Sequence, residues 1–208
     1  MMTPLKKWSR DRYLAAAPVL APELLGCYLV HETDEGPIRC RIVEVEAYGG
    51  MKWNGCIDDA SHARCGKTNR NQSMFLAGGH AYVFRIYGTS WCMNVVTGES
   101  EDPQAILIRA VEPVSGWELI EKNRPVKGQV NWTNGPGKLC AAMAISSQQD
   151  GVDLCGDTLY IEDPEEVWTE KKAVSPRVHI DYAQWGKLFP WRWYLEGNPY
   201  VSRVPKQK

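Results

Sequence analysis

The sequence predicts a single α+β domain built around a curved antiparallel β-sheet with flanking helices. Two observations lead to this: strand-like segments outnumber helical ones, and short turns separate most neighbouring strands. A length of 208 residues fits one domain spanning residues 1–208, in which residues 1–12 are expected to form a loosely ordered N-terminal segment. The 44% hydrophobic and 24% charged content is typical of a folded globular protein.

The first half of the chain is predicted to form one helix and two strand pairs. The helix covers residues 21–25, with Pro22 at a tolerated early position and Gly26 as its C-terminal stop. The predicted strands are residues 27–31, 38–46, 81–86 and 91–96, with turns around 34–36 and at 87–90. Residues 49–71 are predicted to form a long polar loop, and loops of that length are usually functional.

The second half is predicted to mix short strands with two helices. A strand over residues 105–112 is expected to end at Pro113. Helices are predicted at 116–122 and, after a turn at 134–137, at 138–145. Further short strands are predicted at 159–162, 177–180 and 193–195.

Two sequence features exclude whole classes of protein. No apolar run approaches the roughly 20 residues that span a bilayer, and the first ten residues lack the apolar centre of a signal peptide, so we expect a cytoplasmic protein with no membrane partner. The seven cysteines form no C-x-x-C pair and no zinc-ligand spacing with histidine, which favours reduced, mostly buried thiols over a metal site. Cys56 and Cys65 flank a predicted loop and are the pair best placed for metal or redox chemistry.

The charge distribution is uneven although the net charge is only −1. Residues 61–98 contain Arg64, Lys67, Arg70 and Arg85 but no Asp or Glu, whereas acidic residues concentrate between 150 and 170. A local positive face of this kind suits a polyanionic partner. An ordinary solvated surface explains the charges equally well.

The segment from residue 41 to residue 48 places two carboxylates in an apolar strand. Because a strand has a period of two, Glu44, Glu46 and Tyr48 share one face. A carboxylate in a half-buried strand must be paired, hydrogen-bonded or used in chemistry, for example as a general base. The residues alone favour a structural ion pair of Glu46 with Arg41 or Arg109.

The predicted hairpin at residues 81–96 is rich in aromatic residues. Tyr82 and Phe84 share one face, whereas Tyr87 falls at the turn, where a ring has little value for the core. An exposed ring at such a tip suggests a wedge for another molecule, because apolar side chains inserted between base steps kink DNA. The alternative is that these rings are simply core. His62, alone in a polar loop, is equally ambiguous.

Seven segments, taken together and in order, resemble the alkyladenine (3-methyladenine) DNA glycosylase family. They are residues 41–48 (RIVEVEAY), 60–64 (ASHAR), 71–75 (NQSMF), 82–88 (YVFRIYG), 92–94 (CMN), 106–113 (ILIRAVEP) and 135–140 (GPGKLC). Any one segment is weak evidence, but the ordered set covers nearly the whole chain. The likeness weakens before Tyr13 and after Asp150.

The resemblance implies a monofunctional DNA glycosylase that starts base-excision repair. Its partner is double-stranded DNA containing damaged purines, it acts as a monomer without cofactor or metal, and a protruding β-hairpin inserts into the DNA. A damaged purine, alkylated or deaminated, is flipped out of the stack so that water can hydrolyse its N-glycosidic bond. The expected location is the cytoplasm at the nucleoid, or the nucleus in a eukaryote.

The resemblance also implies roles for individual residues. Glu46, rather than Glu44, is the general base that activates water, and Arg109 holds that water and the carboxylate. Tyr87 is the wedge. The walls of the flipped-base pocket are Tyr48, His62 and Phe84, with Asn94 opposing the exocyclic amine of guanine. Candidates for contact with the DNA backbone are Arg64, Lys67, Arg70, Arg85 and Lys138.

A single catalytic carboxylate agrees with the chemistry of this reaction. Glycosidases normally need two carboxyl groups, one acid and one base. An alkylated purine is already cationic and leaves readily, so one group that orients water can suffice. Neutral lesions such as hypoxanthine still need a proton on the leaving base.

Three residues depart from the family pattern, and two other functions stay open. Phe84 stands where tyrosine is common, Ser90 replaces a bulkier residue, and His179 stands where glycine is usual, so lesion preference is the property most affected. The first alternative is a catalytically inactive damaged-DNA-binding module on the same fold. The second is a small-molecule hydrolase on a similar sheet.

Overall fold

The computed structural model describes residues 6–50, 58–164 and 168–202. Within those ranges it contains five α-helices and eight β-strands. The helices are α1 (Arg10–Tyr13), α2 (Ala17–Leu24), α3 (Trp117–Asn123), α4 (Val130–Thr133) and α5 (Pro136–Ala142). The strands are β1 (Tyr28–Thr33), β2 (Gly36–Tyr48), β3 (Ala81–Ile86), β4 (Ser90–Thr97), β5 (Gln104–Ser115), β6 (Leu159–Glu162), β7 (Lys172–Ser175) and β8 (Arg192–Leu195).

All eight strands belong to one antiparallel sheet that is curved but not closed. The main order is β3-β4-β5-β2-β1-β6, and β8 pairs with β2 and β7. The predicted α+β class with a curved antiparallel sheet is therefore confirmed. The central strand is β2, which pairs with β5 along one edge and with β1 and then β8 in succession along the other.

The two faces of the sheet differ in chemistry because side chains alternate along each strand. One face carries Val83, Met93 and Ile108, which belong to the main hydrophobic core together with the buried residues of α2 and α5. On the other face the strand register aligns Tyr82 with Asn94, Asn94 with Leu107, and Leu107 with Glu46. This row across β3, β4, β5 and β2 includes two buried polar side chains, Asn94 and Glu46.

Strand β5 is longer than predicted, and the reason lies in a β-bulge. The strand runs through Pro113 to Ser115, so the prediction that this proline ends it is wrong. Cys40 pairs with Pro113 but Arg39 pairs with Ser115, which is a register shift. A bulge tolerates proline because the ladder is interrupted there and needs no N–H donor.

The strand predicted at residues 177–180 is also wrong. Those residues are irregular, and the strand in this region is β7, which ends at Ser175. His179 has a φ angle of 61°, a left-handed conformation that is incompatible with a strand.

Helix boundaries differ by more than one residue from the predicted ones at two places, whereas α3 differs by one residue at each end. Helix α2 begins at Ala17 rather than at residue 21, and Gly26, with φ 92°, follows it as predicted. Helix α5 begins at Pro136, where proline is well tolerated, and stops at Ala142. It cannot continue to residue 145 because Ala144 has a φ angle of 55°.

The described part of the N-terminal segment is packed rather than loose. Trp8 is only 2% exposed, and its indole N–H donates to Asp163 at 2.9 Å. Lys7 forms a β-bridge with Glu162, and α1 starts at Arg10. In the part of the chain that is described, no helix has the length and apolar character needed to cross a membrane.

Candidate active site

A cavity of about 930 Å³ lies over the polar face of the sheet. Its floor consists of residues from β2 to β5, including Tyr48, Asn94 and Arg109. Its walls come from His62, from the loop that contains Val178, His179 and Tyr182, and from residues 134–138 at the start of α5. The volume is within the range of pockets that enclose a small-molecule ligand.

The carboxylate of Glu46 lies directly behind this floor and is fully buried. Its Oε2 accepts hydrogen bonds from the Tyr48 hydroxyl at 2.9 Å and from Arg109 Nη1 at 3.2 Å, and its Oε1 accepts one from the backbone N–H of Val178 at 2.7 Å. All three donor residues line the cavity. A carboxylate can accept about four hydrogen bonds, so these three donors leave room for about one more.

Glu44 lies in the same strand and forms ion pairs with two arginines, Arg109 and Arg192. It accepts from Arg109 Nε at 2.9 Å, from Arg192 Nε at 2.7 Å, and from both the backbone N–H and the hydroxyl of Ser202. Burial raises the pKa of Glu44, but the charges of Arg109 and Arg192 outweigh it, so the net pKa lies below the usual value. Glu44 is therefore an ionised partner that fixes the guanidinium of Arg109.

Arg109 joins the two carboxylates, as the ion-pair alternative from sequence anticipated. Burial disfavours its charged form, but Glu46 and Glu44 more than compensate and raise the pKa of Arg109. Arg41, the other partner considered for Glu46, instead binds Glu112 and Glu170. Because Arg109 is charged and held from two sides, it presents a fixed positive group at the cavity floor.

A second buried ion pair holds the loop on the far side of Glu46. Arg177 donates to both carboxylate oxygens of Asp58, at 2.5 and 2.7 Å, and both residues are buried. Burial opposes the charge of Arg177, but the hydrogen bond and charge of Asp58 prevail and raise the pKa of Arg177. The guanidinium also lies 4.6 Å from the ring centroid of Tyr48. This pair therefore positions both Val178, the donor to Glu46, and the Tyr48 ring.

Three aromatic rings form one wall of the cavity. The His62 ring meets Phe84 edge-on with centroids 4.5 Å apart, and its Nδ1 lies 3.0 Å from the Tyr82 hydroxyl. Burial, assisted by the charges of Arg70 and Arg64, lowers the pKa of His62 to about 4, so this imidazole is neutral near pH 7. Burial and the neighbouring Glu46 raise the pKa of Tyr48 well above its usual value, so its phenol is neutral as well.

Asn94 is buried at the centre of the floor. Its side-chain amide donates to the backbone carbonyl of Tyr82 at 3.0 Å, across the β3–β4 pair. One amide donor is therefore used within the sheet, and this hydrogen bond fixes the side chain where it lines the cavity.

Tyr87 stands at the tip of the hairpin formed by β3 and β4. Ile86 and Ser90 are the last paired residues, so the turn consists of residues 87–89. Both Tyr87 and Gly88 have positive φ angles, as tight hairpin turns require. The Tyr87 side chain is 89% exposed, yet it also lines the mouth of the cavity.

The basic residues singled out from the sequence are spread around the mouth. Lys138 lines the cavity and donates to Asn134, whereas Arg64, Lys67, Arg70 and Arg85 are exposed outside it. Lys67 is paired with Glu101 at 2.7 Å. The other three lie beside aromatic rings, those of Tyr182, Phe84 and Trp91 respectively.

The cysteines supply no metal centre in the part of the chain that is described. There, no group of three or more His, Cys, Asp or Glu side chains is arranged to hold an ion. Cys65 is exposed and not in a disulfide. Its predicted partner Cys56 lies outside the described residues.

Comparison with known proteins places this chain in a family. The model of the methylpurine-DNA glycosylase family matches residues 11–199. The chain belongs to that family. A relative from Desulfitobacterium hafniense, with the provisional name 3-methyladenine DNA glycosylase, is 44% identical over 95% of this chain and 99% of its own length. Relatives of the same name from Clostridium novyi and Bacillus thuringiensis are 41% and 45% identical, over 96% and 88% of this chain and 100% and 93% of their own.

The three departures from the glycosylase family pattern all lie at the cavity. Phe84, Ser90 and His179 each contribute to its lining. Ser90 packs against α5, since a side chain added at Gly137 would lie 3.1 Å from its Cβ. His179 is exposed and holds its left-handed backbone conformation without the freedom of glycine.

Several residues of the candidate site are not predicted from the sequence. Glu44 was expected only to support Glu46, but its partners Arg192 and Ser202, together with the Arg177–Asp58 pair, were not identified. Tyr82 was recognised as part of the hairpin but not as a wall of the cavity. The sequence carries no signal for the Arg177–Asp58 pair, because a carboxylate in a polar loop needs a protein partner only when it is buried.

Proposed function

We propose that the protein is a monofunctional DNA glycosylase that removes damaged purines, alkylated or deaminated, from double-stranded DNA and so starts base-excision repair. The observation that carries this proposal is the carboxylate of Glu46. It is fully buried behind the floor of a base-sized cavity, is held by donors from three separate segments that line the cavity, and retains capacity for about one further hydrogen bond. The proposed reaction requires a water molecule from the cavity to take that place when the damaged nucleotide binds.

In the proposed reaction Glu46 acts as the general base. The water oxygen attacks C1′ of the sugar, its proton passes to Glu46, and the C1′–N bond breaks with its electron pair moving to the departing purine. Arg109 fixes the orientation of the carboxylate through Nη1. A cationic alkylated purine needs no further proton to leave.

The aromatic wall is proposed to hold the flipped purine. His62, Phe84 and Tyr48 present ring surfaces to the cavity, and stacking of a base on such rings contributes about 1–3 kcal/mol each. The neutrality of His62 favours this role, because a cationic purine would be repelled by an imidazolium. Asn94, held in place by its bond to Tyr82, is proposed to oppose the exocyclic amine of guanine.

The hairpin tip is proposed to enter the DNA duplex. Tyr87 is 89% exposed at the tip of the hairpin, so its ring contributes little to the packing of the protein. The ring can instead fill the gap that a flipped nucleotide leaves in the DNA. Arg85 on the same hairpin, with Arg64, Lys67, Arg70 and Lys138 around the mouth, would contact phosphates. Lys67 would have to exchange its partner Glu101 for a phosphate. The protein is proposed to act on DNA as a monomer.

The test of the chemistry is single-turnover excision by Glu46→Gln. We expect this variant to bind a duplex containing 7-methylguanine normally but to release no base, because an amide cannot accept the proton from water. Glu121→Gln on α3, an exposed carboxylate outside the cavity, is the matched control and should excise normally. Normal excision by Glu46→Gln would refute the assignment, and lesion binding without excision by the unmodified protein would favour the inactive DNA-binding module.

The test of the wedge is the affinity of Tyr87→Ser for the same duplex at one fixed salt concentration. We expect weaker binding and slower excision, with Trp117→Ser on α3 as the control for loss of an exposed ring. Affinity equal to that of the unmodified protein would contradict insertion of Tyr87.

A further inference from the structure

His179 occupies a strained and unpaired position in the wall of the cavity. Its backbone has a φ angle of 61°, a left-handed conformation that histidine, like asparagine and aspartate, adopts more often than other residues but that still costs free energy relative to glycine. Such outliers persist where the surrounding structure enforces them, and they gather at functional sites. The side chain is exposed and lines the cavity.

The position of His179 is fixed with respect to Glu46. The preceding residue, Val178, donates its backbone N–H to Glu46 Oε1 at 2.7 Å. One residue further back, Arg177 is held by Asp58 and by the carbonyls of Ala47 and Gly186. The imidazole is therefore carried by a short, anchored segment that begins at the reacting carboxylate.

Several of the polar groups around Glu46 already have partners. The hydroxyl of Tyr48 and Nη1 of Arg109 donate to Glu46, and the amide of Asn94 donates to Tyr82. The Nδ1 of His62 faces the hydroxyl of Tyr82. Among the described residues, no hydrogen bond to a ring nitrogen of His179 is formed. This imidazole is thus a free donor at the wall that adjoins the carboxylate.

We propose that His179 is a specificity-determining residue whose imidazole N–H donates a hydrogen bond to the departing purine. This inference rests on the proposed function, since it requires a purine in the cavity. A hydrogen bond to a ring nitrogen of the base stabilises the electron pair that arrives when the C1′–N bond breaks. A cationic purine gains little from it, whereas a neutral purine such as hypoxanthine gains much more. His179 therefore extends the range of lesions toward neutral purines.

The experiment compares single-turnover excision of hypoxanthine and of 7-methylguanine by His179→Gly. Glycine accepts the backbone conformation and removes only the side chain. We expect the excision rate on hypoxanthine to fall about tenfold, which is the effect of losing one hydrogen bond in the transition state. The excision rate on 7-methylguanine should change less than about twofold. An equal loss on both lesions would indicate contact with the DNA backbone and overturn the inference. So would no loss on either, or an unmodified protein that releases no hypoxanthine.

His179→Asn controls for loosening of the loop. Asparagine tolerates positive φ and restrains the backbone more than glycine does, and its shorter side chain reaches less far into the cavity. We expect a loss that is again confined to hypoxanthine and is no larger than that of the glycine variant. Full activity of His179→Asn beside a defective His179→Gly would assign the defect to loop flexibility and overturn the inference. Excision of 7-methylguanine by Glu46→Gln, tested in parallel, would instead refute the proposed function itself.

Discussion

Replacing Arg177 with methionine tests whether the buried pair with Asp58 holds the loop behind Glu46. The guanidinium makes two bonds to Asp58 and one each to the carbonyls of Ala47 and Gly186. Removing one partner of a buried ion pair costs about 3–5 kcal/mol, because the other charge is left uncompensated. In the variant, Asp58 still accepts from two backbone donors, the N–H groups of Gly49 and Ala60. Because these donors partly compensate its charge, we expect the free energy of unfolding to fall by about 3 kcal/mol, the lower end of that range.

The measurement is urea unfolding, in which a change of midpoint at constant slope reports stability alone. Lys122→Met is the control, because Lys122 pairs with Glu35 in an exposed bridge that is worth at most about 1 kcal/mol. A second comparison is the double variant Arg177→Met with Asp58→Leu, which removes the orphaned charge and should recover part of the loss. If Arg177→Met costs no more than Lys122→Met, the reasoning from buried charge is refuted.

Three further outcomes are expected. Glu44→Gln should lower the free energy of unfolding by about 3 kcal/mol and slow excision, since the amide leaves buried Arg109 partly uncompensated; unchanged urea unfolding would contradict this. Gly186→Ala should lower stability by about 1–3 kcal/mol in thermal unfolding, because its Cβ would lie 2.6 Å from an Asp58 oxygen, whereas Gly135→Ala should be nearly neutral. Burial lowers the pKa of His62 from 6.5 to about 4, so the unfolded state binds this proton more readily, and the free energy of unfolding should fall as pH drops through that range. The fall should be smaller in His62→Phe, and equal curves for the two proteins would contradict it.

Much of the fold could be predicted because strands and turns are encoded by short, local patterns of residues. Alternating apolar residues and glycine-rich turns placed the hairpin of β3 and β4 at the correct residues, and the same alternation put Glu46 and Tyr48 on one face. The family resemblance then drew attention to Glu46 over Glu44. Local patterns failed at Pro113, where a bulge lets a strand pass through proline.

The supporting contacts of the site were not predictable, because they join residues far apart in the chain. Glu44 binds Arg192 across 148 residues and Ser202 across 158. Asp58 binds Arg177 across 119 residues. No periodicity indicates which cation pairs with which carboxylate at such separations. The segment at 177–180 resembles a strand in sequence, so its irregular conformation was not predicted.

The central position of β2 determines which parts of the protein unfold locally in the native state. Residues 44–46 are hydrogen-bonded to β5 on one side and to β8 on the other, so their amides are shielded from exchange with solvent from both edges. The turn at Tyr87 has no such flanking strands and can fray on its own. Slow fluctuations of the native state should therefore loosen the hairpin tip long before they disturb Glu44 and Glu46, whose surroundings persist for as long as the sheet itself.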